Sequence, residues 1–534
     1  MGEKNVVFIG FQDQENLGIG YLASVLLNAG FSPHILDYRL GPEQLYKSCA
    51  KLQPVCVGFS IIFQYYTPDF REVAAHFRKR GITCHFTAGG HYPSLRPKEV
   101  LESVLALDSI VLFEGEHTLL DLVEALAGGR DWRHIQGLAY RTNGSVVLNA
   151  LRPLETNLDS LPPPVRAPLP EFALGKQQTT LLASRGCFYN CSFCSIRNFY
   201  SKPPGPLKRI RQPEMVAKEM ELLHLERDCG VFMFQDDDFP GAAKGSAEWA
   251  HRFCAALRRN GLASRILWRI SCRCDEVNEE RFAMLKDCGL AFVYLGIESG
   301  TEAGLQIMNK RLTVETNVRA TRVLNDLDIN WDFGFMLFDP LSTYETVLEN
   351  LDFLEAICGD GSAPITACKM IPYAETPIEK ALSESGRLIV HGEREDYRFL
   401  NPGFDQLYTF FVDQFSDWIQ LPESVLGLSR WTRYAIAVCR KFYGVGSDLD
   451  AVADAVRRVT AEGNHFFLEA MREIVRVFAH SDGRPPFAQT EALRKYILQG
   501  QRGYEGELLQ AMHQLERLAK GRGSAKELDV PQLA

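Results

Sequence analysis

The sequence predicts an α/β protein in three successive parts: a doubly wound, Rossmann-like N-terminal domain, a partial (β/α)6 TIM barrel and a helical C-terminal domain. Short apolar runs alternate with segments of helical periodicity both before and after a stiff break at Leu161-Pro162-Pro163-Pro164. Such alternation with short links is typical of parallel sheets. Beyond about residue 380 only the 3.6-residue period of helices remains. We therefore expect domains at 1–150, 176–380 and 381–534, with a linker over 151–175.

The first domain shows five short apolar runs separated by helical segments. The predicted strands are Val6–Gly10, His34–Asp37, Val55–Ser60, His85–Ala88 and Ser109–Phe113; the helices are Leu17–Ala29, Phe70–Arg80 and Glu116–Ala127; a hairpin is predicted from Ile135–Tyr140 and Ser145–Leu148. Ligands of such sheets bind beyond the carboxyl ends of the strands. Gly10, Ser60, Gly89-Gly90 and Glu114-Gly115 fall there, although each glycine also suits an ordinary tight turn.

The second domain repeats the alternation six times, which predicts the partial barrel. Its expected strands are Thr179–Ala183, Val231–Gln235, Ile266–Ser271, Ala291–Gly296, Asn330–Leu337 and Pro364–Lys369; its helices are Pro213–Arg227, Ser246–Asn260, Glu279–Cys288, Val314–Asn325 and Tyr344–Ile357. In the C-terminal part, helices are expected at Asp454–Ala461, Phe466–Ala479 and Glu491–Leu498. The aromatic-rich stretch Phe399–Trp418 fits either a helical core or the lining of a substrate pocket.

Composition and charge exclude several classes of protein. A net charge of −9 and a pI near 5.8 argue against a general nucleic-acid binder, which would carry a basic face. No apolar stretch reaches the length of a membrane span, and the N-terminus does not resemble a signal peptide. Fourteen cysteines without regular spacing indicate reduced thiols, and hence a cytoplasmic protein.

Three of these cysteines, Cys187, Cys191 and Cys194, have the spacing C-x3-C-x2-C in the loop after the first barrel strand. Three thiolates can hold three irons of a [4Fe–4S] cube and leave the fourth iron open to a small molecule. A zinc knuckle or three buried thiols are the alternatives. Zinc would need a fourth ligand, and no histidine lies between Lys176 and Met220.

The spacing, with Arg185-Gly186 before the first cysteine and Phe193 before the third, resembles the radical S-adenosylmethionine (SAM) superfamily. The resemblance implies a SAM site at the ends of the barrel strands. By matching motifs, the SAM amino group would meet Asp236 and Asp237, the carboxylate Arg273 beside Ser271, the ribose Glu298, and the adenine Phe193 and Met336. A helix-capping acidic turn is the other interpretation of the two aspartates.

In the N-terminal domain, Leu17–Ala23, Val57–Ser60, Ala88–Pro93 and Phe113–Glu116 occur in an order that resembles the cobalamin-binding domain of one radical SAM class. The implied cobalamin contacts are Ser60, Gln64, Tyr65, Gly89, Gly90, Glu114 and Gly115. Many cobalamin domains offer the cobalt a histidine in D-x-H-x-x-G, but the loop Phe11–Gly18 has none. The lower face of the cobalt would then lack a histidine ligand. A domain that has degenerated to a scaffold is the alternative.

The resemblance implies a radical SAM enzyme that cleaves SAM to a 5′-deoxyadenosyl radical. With cobalamin as methyl carrier, we expect C-methylation of a small-molecule biosynthetic intermediate, and an external electron donor such as flavodoxin or ferredoxin. A rearrangement or cyclisation, with cobalamin non-methylating or absent, is the alternative. A methylthiotransferase would need three more cluster cysteines, which Cys49, Cys56 and Cys84 do not resemble. A non-enzymatic cobalamin or iron sensor is a third class, which would not cleave SAM.

Overall fold

A computed structural model describes residues 4–12, 15–168, 170–242, 245–391, 394–420, 422–444, 446–481 and 483–521 of the 534-residue chain. The predicted first domain begins, and the predicted C-terminal domain ends, outside the described residues. No helix within the described part of the chain is both long enough and apolar enough to cross a bilayer.

Most strands belong to two sheets. In chain order they are β1 (Asn5–Gly10), β2 (Ser32–Asp37), β3 (Cys56–Ser60), β4 (His85–Gly89), β5 (Ser109–Val111), β6 (Leu138–Thr142), β7 (Ser145–Leu148), β8 (Glu171–Ala173), β9 (Lys176–Leu181), β10 (Ser184–Arg185), β11 (Arg209–Ile210), β12 (Cys229–Phe234), β13 (Leu267–Arg273), β14 (Leu290–Glu298), β15 (Asn330–Phe335), β16 (Leu388–His391) and β17 (Arg394–Tyr397).

The helices alternate with the strands of both sheets and then continue alone. They are α1 (Leu17–Asn28), α2 (Pro42–Leu52), α3 (Thr67–Lys79), α4 (His91–Leu95), α5 (Pro97–Ser103), α6 (Glu116–Ala127), α7 (Ile196–Ser201), α8 (Pro213–Arg227), α9 (Ala247–Arg259), α10 (Glu279–Asp287), α11 (Glu302–Ile307), α12 (Val314–Asp326), α13 (Tyr344–Cys358), α14 (Pro377–Glu384), α15 (Pro402–Ile419), α16 (Val425–Val438), α17 (Ser447–His480) and α18 (Phe487–Lys520).

The chain forms two compact units, each built from three separate segments. The first unit comprises Met1–Leu169, Ser184–Arg211 and Ile371–Asp396; the second comprises Pro170–Ala183, Gln212–Met370 and Tyr397–Ala534. The cysteine loop is thus part of the same unit as the N-terminal sheet. The boundaries at 150, 175 and 380 remain sequence predictions.

The first unit contains a seven-stranded sheet in the order β2-β1-β3-β4-β5-β6-β7. Strands β1 to β5 pair in parallel, and the β6–β7 hairpin adds an antiparallel edge. Successive residues of β1 enter different cores: Val7 and Ile9 lie in one, Val6 and Phe8 in the other. Burial on both faces is typical of parallel sheets. This confirms the predicted doubly wound, Rossmann-like fold.

The second unit contains a six-stranded sheet in the order β15-β14-β13-β12-β9-β8. Five strands run parallel, and β8 pairs antiparallel with β9. This confirms the α/β partial barrel, but the expected sixth strand, Pro364–Lys369, forms only one parallel bridge, between Phe338 and Lys369. Its Ile365 N–H donates instead to the Asn464 side chain at 2.9 Å.

The C-terminal helices are longer than the sequence predicts. Asp454–Ala461 and Phe466–Ala479 are parts of the single 34-residue helix α17, and Glu491–Leu498 lies within the equally long α18. The aromatic stretch forms α15, whose Phe404, Phe411 and Phe415 are buried. Phe404 and Phe411 contact the ring of Phe338, just after β15. This supports the helical-core interpretation of the stretch.

Candidate functional site

The cysteine loop begins at a small antiparallel pair in which Arg185 of β10 faces Arg209 of β11. Gly186, between this pair and Cys187, has a φ of +87°, and a Cβ there would overlap the carbonyl oxygen of Leu207. Only glycine suits this position. The local backbone therefore explains the Arg-Gly-Cys sequence.

Cys187, Cys191 and Cys194 are all half-buried, and the Cys194 N–H donates to the Cys191 carbonyl at 3.2 Å. No three His, Cys, Asp or Glu side chains of the described residues converge closely enough to ligate one metal ion. An iron–sulfur cube differs, because its cysteines bond separate irons. Three accessible thiols in one short loop fit such a cube.

Two carboxylates hold the start of this loop. Arg185 donates to Glu114 Oε1 at 3.1 Å and to Glu116 Oε1 at 2.7 Å, and Arg209 donates to both oxygens of Glu114 at 2.8 Å. Burial opposes ionisation of Glu114, but Arg185 and Arg209 hold its pKa below the ordinary value. The predicted cobalamin residue Glu114 is thus bound to the segment that carries the cysteines.

Helix α7, which follows the cysteines, packs on the loops after β4 and β5. Phe199 stacks on His91 with 4.2 Å between ring centroids, and lies 5.0 Å from Phe113. Burial lowers the pKa of His91 to about 4, so the ring is neutral near pH 7. On the other side, the Ile378 N–H donates to the Ser192 carbonyl at 3.1 Å.

The predicted cobalamin residues Ser60, Gly89, Gly90 and Gly115 lie at the carboxyl ends of β3, β4 and β5. Gly90 has a φ of +116°, and a Cβ there would overlap the Ile61 carbonyl oxygen; a Cβ on Gly115 would lie 2.8 Å from Val111 Cγ1. The backbone itself requires glycine at Gly90, whereas a side chain at Gly115 would have to displace the side chain of Val111. A Cβ on Gly89 would meet only the Val111 carbonyl oxygen, at 3.4 Å. The absence of a side chain at Gly89 therefore leaves space that a ligand can occupy.

Gln64 and Tyr65, predicted near the cobalt, sit in the loop after β3. Both ends of the buried Gln64 amide are engaged: Nε2 donates to Glu395 at 3.2 Å, and Oε1 accepts from the Ala374 N–H at 3.1 Å. Tyr65 stacks on the partly exposed Phe63, and burial raises its pKa. A loop with a fixed amide and an exposed apolar ring fits a flat macrocycle better than it fits metal ligation.

In the second unit, Asp236 and Asp237 follow β12. Asp236 is buried and accepts from the Ala183 N–H at 3.1 Å, whereas Asp237 is exposed. Ser271, near the end of β13, is half-buried and accepts a hydrogen bond from the Phe239 N–H through its carbonyl. All three side chains thus lie at carboxyl ends of parallel strands, as expected.

Arg273, the last residue of β13, is a buried guanidinium with a fixed orientation. Its Nε donates to Asp275 Oδ1 at 3.1 Å, and its Nη2 donates to the Lys310 carbonyl at 2.6 Å. Phe193 is half-buried in the first unit, and Met336, after β15, donates its N–H to the Glu298 carbonyl at 2.8 Å.

Glu298, at the end of β14, occupies a gap left by two glycines that pair across neighbouring strands, Gly296 and Gly334. A Cβ on Gly296 would lie 2.9 Å from Glu298 Oε1, and one on Gly334 would lie 3.1 Å from its Oε2. Glu298 itself has a φ of +65°, a conformation that is rare for a non-glycine residue and common at functional sites. Burial raises the pKa of Glu298, and Lys310 opposes that shift.

Sequence reasoning missed Lys310 and the carboxylate clamp on Arg185. Lys310 lies between α11 and α12, away from any strand end, so its position carries no signal. Arg185 and Glu114 are 71 residues apart, and only the folded chain brings them together.

Comparison with known proteins agrees with this architecture. The family model of the B12 binding domain matches residues 10–123, and that of the Radical SAM superfamily matches residues 181–354. An uncharacterized methyltransferase of Pyrococcus horikoshii is 29% identical over 352 residues, which are 64% of this chain and 73% of that protein.

Anaerobic magnesium-protoporphyrin IX monomethyl ester cyclase of Cereibacter sphaeroides is 27% identical over 411 residues, which are 72% of this chain and 62% of that protein. The solved structure of OxsB, a cobalamin-dependent S-adenosylmethionine radical enzyme with aqua-cobalamin bound, superposes with a TM-score of 0.67 at 19% identity, over 98% of this chain and 84% of that one. This likeness shows the fold.

Both family models match in the order that the sequence predicts, with Gly89 inside the first match and the three cysteines inside the second. The chain is therefore an enzyme of the cobalamin-dependent radical SAM family, with a [4Fe–4S] cluster, SAM and cobalamin as its cofactors.

Proposed function

We propose that this enzyme transfers a methyl group to a carbon atom of a small-molecule biosynthetic intermediate. The observation that carries the proposal is the presence, in one chain, of a B12 binding domain and a three-cysteine radical SAM loop. The relative from Pyrococcus horikoshii is named a methyltransferase, which supports it. When bound, the cluster and SAM supply a 5′-deoxyadenosyl radical, and cobalamin supplies a carried methyl group.

The cluster would be held by Cys187, Cys191 and Cys194. Three thiolates leave one iron without a protein ligand, which is the open position that SAM needs. The loop is half-exposed, and Phe188 between the first two cysteines is the most exposed of its aromatic side chains. An external electron donor such as flavodoxin or ferredoxin would reduce the cluster.

SAM would be held by polar groups at the ends of the barrel strands. Asp236 and Asp237 are suited to its ammonium, and the oriented guanidinium of Arg273 to its carboxylate. Glu298 would accept hydrogen bonds from the ribose. Ser271 and Met336 complete the predicted set within the second unit.

Cobalamin would lie at the carboxyl ends of β3 and β4. The space at Gly89 would admit its nucleotide tail, and the loop with Gln64 and Tyr65 would face the corrin. Ser60, Gly90 and Gly115 would shape these loops. Because His91 is packed against Phe199, it is not offered as a cobalt ligand.

The test uses anaerobically purified, reconstituted enzyme with a chemical reductant and SAM that carries a trideuterated methyl group. Methyl transfer predicts both 5′-deoxyadenosine and S-adenosylhomocysteine among the products, because one SAM yields the radical and another supplies the methyl group. Deuterium should then appear in a methylated product formed from an extract of small molecules. A protein that cleaves no SAM when its cluster is reduced would contradict the proposal and favour a sensor.

The relative named as a cyclase favours a second candidate, a radical cyclisation or rearrangement in which cobalamin does not carry methyl. This reaction predicts 5′-deoxyadenosine without S-adenosylhomocysteine. The product would differ from the substrate without gaining deuterium from the methyl group. The ratio of the two nucleosides therefore separates the candidates before the substrate is identified.

A further inference from the structure

We propose that Glu114 and Glu116 are positioning residues for the iron–sulfur cluster, and that their charges set its reduction potential. The inference rests on the assignment of the cluster to Cys187, Cys191 and Cys194, and does not depend on which reaction follows SAM cleavage.

The two carboxylates and two arginines form a buried, charge-balanced group. The side chains of Arg185, Glu114 and Glu116 are each at most 10% exposed, and that of Arg209 is 2% exposed. Glu114 also accepts a hydrogen bond from the Glu155 N–H at 3.0 Å. Breaking such a group by removing one member leaves an uncompensated buried charge.

The backbone transmits the position of Arg185 to the first cysteine. Arg185 is paired with Arg209 in the β10–β11 ladder, and one residue, Gly186, separates it from Cys187. Gly186 has no space for a side chain beside Leu207, so the turn has little freedom to adjust. A displaced Arg185 would therefore displace Cys187.

The composition of the cysteine segment makes these carboxylates necessary. Ser184–Arg211 contains six Lys or Arg residues and no Asp or Glu, although 67 of the 534 residues are acidic. Its countercharges come from other parts of the first unit: Glu114 and Glu116 for Arg185 and Arg209, Asp159 for Arg211, and Glu375 for Lys202. Glu114 and Glu116 are the ones that meet the start of the cysteine motif.

The expected electrostatic effect has a definite sign. A cube with three thiolates is negatively charged and becomes more so when it gains an electron. If Glu114 loses its charge, Arg209 loses its ion-pair partner while Arg185 keeps Glu116. The group then carries one net positive charge at the start of the cysteine loop, which stabilises the reduced cube. We expect about a tenfold change in the equilibrium constant for one-electron reduction, which is ~59 mV for a one-electron couple, in the positive direction.

The experiment compares reconstituted full-length variants by redox titration, with the reduced cluster followed by EPR. Glu114→Gln keeps a hydrogen-bonding side chain but loses the charge, and should shift the potential positively; Glu116→Gln should shift it in the same direction. The charge-balanced double variant Glu114→Gln/Arg209→Gln should return the potential towards that of the native protein. Glu114→Asp, which keeps the charge, should shift it less than Glu114→Gln.

Asp159→Asn is the matched control. Asp159 and Arg211 form a pair of similar burial, with an Nε–Oδ1 distance of 2.9 Å. Arg211 lies just beyond the Ser184–Ile210 end of the β10–β11 ladder, the end that points away from Cys187. Its shift should be smaller than that of Glu114→Gln. A native potential in iron-replete Glu114→Gln would overturn the inference, and so would equal shifts in Glu114→Gln and Asp159→Asn.

If Glu114→Gln holds no iron, the double variant decides: restored iron content supports the charge argument, and continued loss overturns it. Failure of the cluster assignment itself is recognised separately, by a Cys191→Ala protein that keeps its cluster.

Discussion

Lys310 donates a hydrogen bond to Glu298 across 3.4 Å, and both side chains lie in the gap that Gly296 and Gly334 leave open. Lys310 is only 3% exposed. Lys310→Met should therefore leave a buried carboxylate without its cation, at a cost of about 3–5 kcal/mol in the free energy of unfolding. Thermal unfolding, compared with that of the native protein, measures this.

The loss of unfolding free energy in Lys310→Met, called the deficit below, should depend on pH. Burial already raises the pKa of Glu298, and loss of Lys310 raises it further. A carboxyl whose folded pKa is raised contributes stability at low pH that is lost as pH rises through the folded value. The deficit should thus shrink as pH falls. Lys380→Met, which breaks an exposed pair with Glu384, should cost about 0–1 kcal/mol at every pH. An equally large deficit at pH 5 and pH 8 would contradict the argument.

Replacing Cys191 with Ala should abolish the cluster, because two thiolates cannot hold the cube. We expect complete loss of the visible absorbance of a thiolate-ligated cluster and of all SAM cleavage. Iron and sulfide analysis after anaerobic reconstitution measures the loss. Cys368→Ala, an exposed cysteine outside the loop, should keep a full cluster. A Cys191→Ala protein that retains four irons would contradict the assignment of the cluster to these cysteines.

Arg273→Ala should weaken SAM binding by about 2–4 kcal/mol while the cluster remains intact. The reason is the loss of a buried guanidinium that Asp275 and the Lys310 carbonyl hold in a fixed direction. Arg273→Lys should restore only part of the affinity, since an ammonium cannot form the planar fork. Equilibrium binding of SAM to reconstituted protein gives the measurement. Unchanged affinity in Arg273→Ala would show that another residue holds the SAM carboxylate.

Glu395 should make stability depend on pH near neutrality. Burial, and then the charge of Glu379, raise its pKa to about 7. With the folded pKa above the unfolded one, its contribution is present below the unfolded pKa and is lost as pH rises through about 7. Glu395→Gln should remove this loss and gain about 1–2 kcal/mol over the native protein at pH 8, after allowance for screening. Thermal unfolding of Glu395→Gln and of the native protein at pH 6 and pH 8 measures this gain. An identical pH dependence of stability in the two proteins would contradict the expectation.

The order of strands and helices is predictable from the sequence, because short apolar runs alternate with segments of helical periodicity. Helices α6 and α8 have the predicted bounds. Helix α2 is absent from the sequence prediction, although its buried side chains, Leu45 and Cys49, are four residues apart and lie on one face of the helix.

Long-range pairing explains the remaining differences. Helix α17 was divided at Gly463-Asn464, yet Asn464 is buried and donates to the carbonyls of Cys358 and Ala363. The side-chain oxygen of Asn464 accepts a hydrogen bond from the Ile365 N–H, which lies in the expected sixth strand. In the same way, the position of Glu114 after a strand suggested a cobalamin ligand, while its partners Arg185 and Arg209 could be known only from the fold.

Gly89 offers a sharper test of the cobalamin site than Gly90, although both follow β4. Any side chain at Gly90 would overlap the Ile61 carbonyl and strain a φ of +116°, so a variant there disturbs the fold whether or not a ligand binds. At Gly89 a Cβ meets only the Val111 carbonyl oxygen, at 3.4 Å.

Gly89→Leu should therefore remove cobalamin while the unfolding temperature and the iron–sulfur spectrum stay close to native, because a Cβ at this position makes only an ordinary van der Waals contact with the protein. Cobalt content and the visible corrinoid spectrum after reconstitution measure the loss, and Gly89→Ala, with one added carbon, should retain most of the corrinoid. In the native protein, the Co(II) EPR spectrum should show base-off cobalamin without coupling to an imidazole nitrogen, since the loop Phe11–Gly18 has no histidine and His91 is packed against Phe199. Full cobalamin occupancy in Gly89→Leu would show that the nucleotide tail lies elsewhere. Imidazole coupling in the native spectrum would show that a histidine outside the loop Phe11–Gly18 and other than His91 binds the cobalt.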